Sequence, residues 1–248
     1  MAERAKTRLY VDAPLGEGQG VALSEAQAHY LFGVMRLAAG DPVEVFNGRD
    51  GAWTARVAEA ARRRGTLVCE RLAAPLALPP DVWLMFAPLK KARTDFIVEK
   101  AAEMGVRRIL PVATAFTAAD RVNRGRLQAH AVEAAEQCGG TFVPEVAELA
   151  PLEEVLAGWD PARRLLWGDE ALAEAGAAVL PPSDGPGPGP GPWAVLVGPE
   201  GGFSPAERTR LRALPVTVPV RLGPRVLRAD TAAVAALTLW QLTWGDWR

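Results

Sequence analysis

The stretch Val195-Leu196-Val197-Gly198-Pro199-Glu200-Gly201-Gly202-Phe203-Ser204-Pro205-Ala206-Glu207 decides how this chain folds. Trp193 to Val197 is a short apolar, β-branched run, the signature of a buried strand. Gly198 and Gly201-Gly202 free the backbone for a tight turn or a close approach to a ligand. Ser204-Pro205-Ala206-Glu207 starts a helix, with serine as N-cap, proline at the first position and glutamate closing a capping box. A glycine-rich loop before a helix often cradles phosphate. Here Glu200 would set a carboxylate against the anion and no lysine follows, which argues against a P-loop.

The logic repeats some twenty residues on. Val216 to Leu222 is a strand interrupted by Pro219, and Leu222-Gly223-Pro224 is a turn. Asp230 or Thr231 then caps a helix through Ala232, Leu237, Leu239 and Leu242. Two strand-loop-helix units in succession put two loops on the carboxyl edge of one sheet, where open α/β sheets bind ligands. Leu165-Leu166-Trp167-Gly168-Asp169-Glu170 reads as a third strand end, and a third wall.

Upstream, Val82 to Phe86 is a buried strand, and Thr94 to Met104 a helix stopped by Gly105. Phe96, Ile97, Ala101 and Met104 share its apolar face. Val106 to Val112 is the next strand. This βαβ unit demands parallel pairing with a right-handed crossover. Arg121, Arg124 and Arg126 precede a further helix that ends at Gly139-Gly140. Residues 1–72 read as mostly β. Ser24 to Gln27 opens a helix by a capping box. Val43 to Phe46, Asn47 to Gly51 and Trp53 to Val57 make a hairpin. Ala73 to Pro80 is uncharged and proline-rich, a semi-rigid linker. The expected division is therefore 1–72, a linker 73–80, and 81–248. Pro181 to Pro192 reads as an exposed low-complexity loop.

Of 248 residues 49% are hydrophobic, ample for a core. No apolar run reaches the roughly 18 residues a membrane helix needs. No signal segment follows Met1, so a cytoplasmic setting is expected. Cys69 and Cys138 are too few for a disulfide framework and are expected to be small buried side chains. With His29 and His130 the only histidines, no metal cluster or histidine triad is indicated. The net charge of −1 does not mark a nucleic-acid binder, so any RNA affinity must come from local clusters such as Arg62-Arg63-Arg64.

Gly-Pro-Glu-Gly-Gly-Phe at 198–203, followed by Leu222-Gly223-Pro224-Arg225-Val226-Leu227-Arg228 and Thr231-Ala232, resembles the RsmE type of SPOUT-class RNA methyltransferases. Arg8-Leu9-Tyr10, Val34-Met35-Arg36-Leu37 and Phe46-Asn47-Gly48 resemble that family's N-terminal domain, and Asp95 to Val106 also fits its pattern. The resemblance implies a PUA-like β-barrel followed by an α/β SPOUT-type domain with a trefoil knot, acting as a homodimer. It implies an S-adenosylmethionine-dependent enzyme methylating N3 of a uridine in 16S ribosomal RNA, with the 30S subunit as partner.

The donor pocket would take Leu196, Val197, Gly198, Glu200, Gly201, Gly202, Leu222, Gly223, Leu227 and Trp167. Arg225 and Arg228 would hold the base or its phosphate, and Asp230 or Glu200 would take the imide proton. Arg8, Arg36 and Arg124 would touch RNA. Two departures stand out. Family members commonly carry Thr-Glu at Ala229-Asp230, and Gly-Arg at Gly139-Gly140. The alternatives are a non-catalytic RNA-binding assembly factor, which has no need of paired glycine loops, and a SPOUT enzyme acting on tRNA or 23S rRNA ribose.

Overall fold

The computed structural model describes residues 5, 7–173 and 191–247. The expected loop at Pro181 to Pro192 lies almost wholly outside them. The chain forms two units, one of residues 1–78 and 132–143, the other of residues 79–131 and 144–248.

The first unit is built on a five-stranded sheet. Its strands are β1 (Arg8–Tyr10), β2 (Gly20–Ala22), β3 (Pro42–Phe46), β4 (Ala52–Ala61) and β5 (Arg64–Ala74). They run in the order β1-β3-β4-β5-β2, with only the β1/β3 pair parallel. The expected hairpin is β3-β4, registered with Phe46 opposite Ala52. Asn47 locks its turn: Oδ1 accepts the Arg49 and Asp50 backbone N–H groups at 3.0 and 2.8 Å. Gly51 has φ +78°, and a Cβ there would sit 2.4 Å from the Ala74 carbonyl oxygen. That turn therefore requires glycine. Ser24 and Gln27 form the expected capping box of α1 (Glu25–Ala28), which widens into a π-helical turn over His29–Val34. Leu9, Val21, Leu31, Val43, Val45, Val57, Leu67 and Cys69 make the core.

The second unit is a parallel sheet. Its strands are β6 (Val82–Phe86), β7 (Arg108–Ala113), β8 (Glu145–Val146), β9 (Ala150–Pro151), β10 (Arg164–Gly168), β11 (Trp193–Val197) and β12 (Thr217–Val220). The order is β12-β10-β11-β6-β7-β8, with β9 also on β7. All five residues of β11 are buried, as a strand covered on both faces requires. The helices are α2 (Lys91–Glu103), α3 (Arg124–Cys138), α4 (Leu152–Ala157), α5 (Pro205–Ala213) and α6 (Ala229–Thr243). The latter part of α3, from Val132, groups with the first unit.

Several expectations fail locally. Phe96 is exposed on α2, whose buried face is Thr94, Ile97, Val98 and Ala101. Helix α3 begins at Arg124, so Arg124 and Arg126 lie within it. Cys138 is exposed, since it ends that helix. The N-cap of α6 is Arg228, without a side-chain cap bond. Leu242 points outward, while Ala233, Ala236, Leu237 and Trp240 face the core.

Candidate functional site

Strands β10, β11 and β12 are adjacent and parallel, so their carboxyl ends open on one edge. The loops that follow them enclose a cleft of about 610 Å³. Residues 168–170 form one wall. Val197, Gly198, Pro199, Glu200 and Gly202 form the second, and Arg221, Leu222, Gly223, Arg225 and Leu227 the third. Gly202 donates to the Pro199 carbonyl at 2.9 Å, which folds the second loop into a turn. Gly202 has φ +68°, and a Cβ would lie 1.9 Å from Glu170 Oε1.

The wall at 168–170 is pinned by charge. Asp169 is buried and accepts from Arg208 and, at 2.9 Å, from Arg212. Glu170 takes another arm of Arg208. A buried carboxylate needs this pairing, because its desolvation would otherwise dominate. Ser204 and Glu207 form the expected capping box of α5.

Of the expected donor residues, Val197, Gly198, Glu200, Gly202, Leu222, Gly223 and Leu227 line the cleft. Leu196 and Trp167 do not. Both are fully buried one position before their strand ends, and Trp167 packs edge-on against Phe203. Gly201 turns away, with Phe116 Cβ 3.0 Å from where its own Cβ would be. Arg225 lines the cleft, whereas Arg228 is exposed outside it. Asp230 and Glu200 are joined by a residue that sequence reasoning missed. Arg93, near the start of α2, donates to Asp230 through Nε at 2.8 Å and Nη2 at 3.1 Å. Its Nη1 reaches Glu200 Oε1 at 2.5 Å. The only local hint was the basic run Lys90-Lys91-Ala92-Arg93 ahead of the helix.

This clamp has a pH consequence. The Arg93 guanidinium holds the Asp230 carboxyl below its ordinary value. The pair therefore contributes stability at neutral pH and loses it as pH falls from the ordinary carboxylate range through the lower folded value. Asp230→Asn is expected to flatten part of the acid limb of the pH–stability curve. An unchanged limb in denaturant titrations would show that the pair contributes nothing.

The three arginines expected on RNA differ. Arg8 is committed internally, to Glu44 at 2.5 Å and to the carbonyls of Ala135 and Gly140 at 2.8 and 2.9 Å. Arg124 donates to the Val146 carbonyl at 2.8 Å. Arg36 is exposed and has no polar partner among the described residues.

Residues 77–241 match the family described as an RNA methyltransferase domain, and residues 23–68 match an RNA methyltransferase PUA domain. The chain belongs to the RNA methyltransferase family. Among its relatives is the ribosomal RNA small subunit methyltransferase E of a Synechocystis strain, 33% identical over 88% of this chain and 71% of the relative. The enzyme of that name from Rickettsia conorii is 27% identical over 93% of both chains. The crystal structure of a ribosomal RNA small subunit methyltransferase E from Neisseria gonorrhoeae, bound to S-adenosyl methionine, superposes with a TM-score of 0.82. It is 26% identical and covers 98% of this chain and 99% of its own. The fold of this RNA methyltransferase is thus α/β, with an N-terminal PUA-like domain and a C-terminal SPOUT-type domain. Among the described residues no cluster of His, Cys, Asp and Glu suits a metal, and no helix is long and apolar enough to cross a membrane.

Proposed function

We propose that the cleft binds S-adenosylmethionine and that the protein methylates N3 of a uridine in 16S ribosomal RNA. The observation that carries this reading is the cleft's donor and acceptor set. The carboxylates of Glu170 and Glu200, the guanidinium groups of Arg221 and Arg225 and the backbone of two glycine loops line one cleft. Leu222 and Leu227 offer apolar faces for an adenine, and the glycine loops offer backbone groups to its edge. When bound, S-adenosylmethionine supplies an electrophilic methyl carbon.

The imide proton must leave N3 as the bond to carbon forms. Asp230 is poorly placed to take it, because its two oxygens already accept from Arg93 and the Thr231 backbone N–H. Glu200 lines the cleft, is the more exposed of the two, and gives only Oε1 to Arg93. Glu200 is therefore assigned as proton acceptor, with Arg93 and Asp230 positioning it. Arg225 and Arg228 are exposed near the third loop and hold the RNA.

The same reading gives residues 1–72 the role of an RNA-binding domain and 81–248 that of the transferase, joined by 73–80, in a cytoplasmic protein acting on the 30S subunit. A trefoil knot in the last third belongs to the same reading and rests on the family resemblance alone. A homodimer is supported by the exposed apolar side chains Phe96 on α2 and Leu242 on α6.

The test offers labelled S-adenosylmethionine with assembled small subunits or naked 16S rRNA, and identifies the product nucleoside by mass. N3-methyluridine is expected. Donor binding without transfer to either RNA would discard the substrate. Absence of donor binding would discard the cleft assignment and favour an RNA-binding assembly factor.

A further inference from the structure

The first unit holds a second concavity, of about 840 Å³, that methyl transfer leaves unused. Tyr30 and Met35 stand at its rim, and Arg8, Glu44 and Glu136 line it. The rim comes from the π-helical turn His29–Val34. Such turns are rare and concentrate at functional sites. Within six residues, Tyr30, Val34 and Met35 are 38%, 59% and 39% exposed. Singly exposed apolar side chains are ordinary, but Tyr30 and Met35 border the hollow and Val34 lies on the same turn, a grouping that suggests a surface that something covers.

Arg36 follows at once, with φ +58°, the one non-glycine positive φ among the described residues. The helix end closes with the Met35 N–H on the Tyr30 carbonyl and the Leu37 N–H on the Leu31 carbonyl, each at 2.9 Å. The left-handed residue at such an end is usually glycine, because a side chain there crowds the backbone. Glycine would close this end without that strain. The arginine nevertheless occupies it, exposed and without an intramolecular partner among the described residues. A strained residue that gives the fold nothing in return points to a role outside the fold.

We propose that this rim holds one unstacked nucleotide of the RNA substrate, its base against Tyr30 and Met35 and its phosphate on Arg36. Aromatic rings and polarizable thioethers accept the faces of splayed bases, and arginine accepts phosphate. The floor selects against a second phosphate. Arg8 is already neutralised by Glu44, and Glu136 Oε1 takes the Tyr10 N–H at 2.7 Å. Each carboxylate keeps an oxygen for a base edge that presents N–H donors.

The inference rests on the reading of this chain as an RNA methyltransferase, so RNA binding and methyl transfer are measured separately. Equilibrium binding of a 16S rRNA fragment is followed against salt for the intact protein, Arg36→Gly, Arg36→Lys and Tyr30→Ala, with donor affinity as control. Arg36→Gly is expected to raise Tm by about 2–4 °C by removing the strain. It should also weaken RNA binding roughly tenfold, with a salt slope smaller by about 1. Arg36→Lys should keep most of the affinity and none of the thermal gain. Tyr30→Ala should lose roughly tenfold in RNA affinity with its salt slope unchanged. Donor affinity should hold in all three. If the RNA affinities of Arg36→Gly and Tyr30→Ala match that of the intact protein, or if the intact protein binds no RNA, the inference is overturned. If RNA binds as expected and no methyl group transfers, the proposed function fails and the nucleotide site stands.

Discussion

Gly198→Ala is expected to weaken donor binding roughly 10- to 100-fold while the protein still folds. Its backbone takes no left-handed φ, so the cause is space alone. A Cβ at this position would lie 2.7, 3.0 and 3.2 Å from three atoms of the Phe203 ring. Phe203 has nowhere to retreat. It is buried, and its ring meets Trp167 edge-on at 5.7 Å, with Trp167 itself fully enclosed. Relief must come from the loop 198–203, which carries the second wall of the cleft. Overpacking of this kind costs ~1–3 kcal/mol, and each 1.4 kcal/mol spent on reshaping the loop is about tenfold in affinity. Gly223→Ala is the comparison. Gly223 also lines the cleft, with φ +96°, but no atom lies within 4 Å of its added Cβ. Only backbone strain should register there. Calorimetric titration with S-adenosylmethionine reads both variants, and wild-type affinity in Gly198→Ala would place the donor outside this cleft.

What the sequence made legible was local. Strand β11, its glycine turn and the start of α5 could be read because a buried strand, a flexible turn and a capping box are each determined by neighbouring residues. The hairpin β3-β4 was readable for the same reason. Misreadings arose where a side chain finds its partner far along the chain. Asp230 suits a helix cap by residue type, yet it turns to Arg93, 137 positions earlier, and Arg228 takes the cap. No periodicity announces such a pairing. Leu196 and Trp167 adjoin the glycine loop and the third wall in sequence, but one step back from a strand end lies the sheet interior. Arg8 matches a family motif, and only the fold reveals that Glu44, Ala135 and Gly140 occupy its guanidinium. Phe96 fits the apolar stripe of α2 by spacing, yet the stripe is narrower than the apolar composition suggested.

Arg93→Gln is expected to lower methyl transfer about 100-fold while changing donor affinity far less. Arg93 is one cation shared by two carboxylates from separate elements, the loop after β11 and the first turn of α6. Without it Glu200 and Asp230 repel each other, and Glu200 swings from the position that faces the acceptor base. A displacement near 1 Å at a reacting group can cost about 100-fold in rate. The stability cost should be small, about 1 kcal/mol, because the cluster is only partly buried and solvent screens it. Arg93→Lys keeps the charge but not the fork. A single ammonium cannot reproduce two bonds to Asp230 and one to Glu200, so partial recovery is expected. Single-turnover rates measured at saturating donor and RNA isolate the chemical step, and Glu200→Gln serves as reference. If Glu200 accepts the proton, adding Arg93→Gln to Glu200→Gln should cost little more than Glu200→Gln alone, since both act through the Glu200 carboxylate. Additive losses would separate Arg93 from the proton transfer and give it a contact of its own with the RNA.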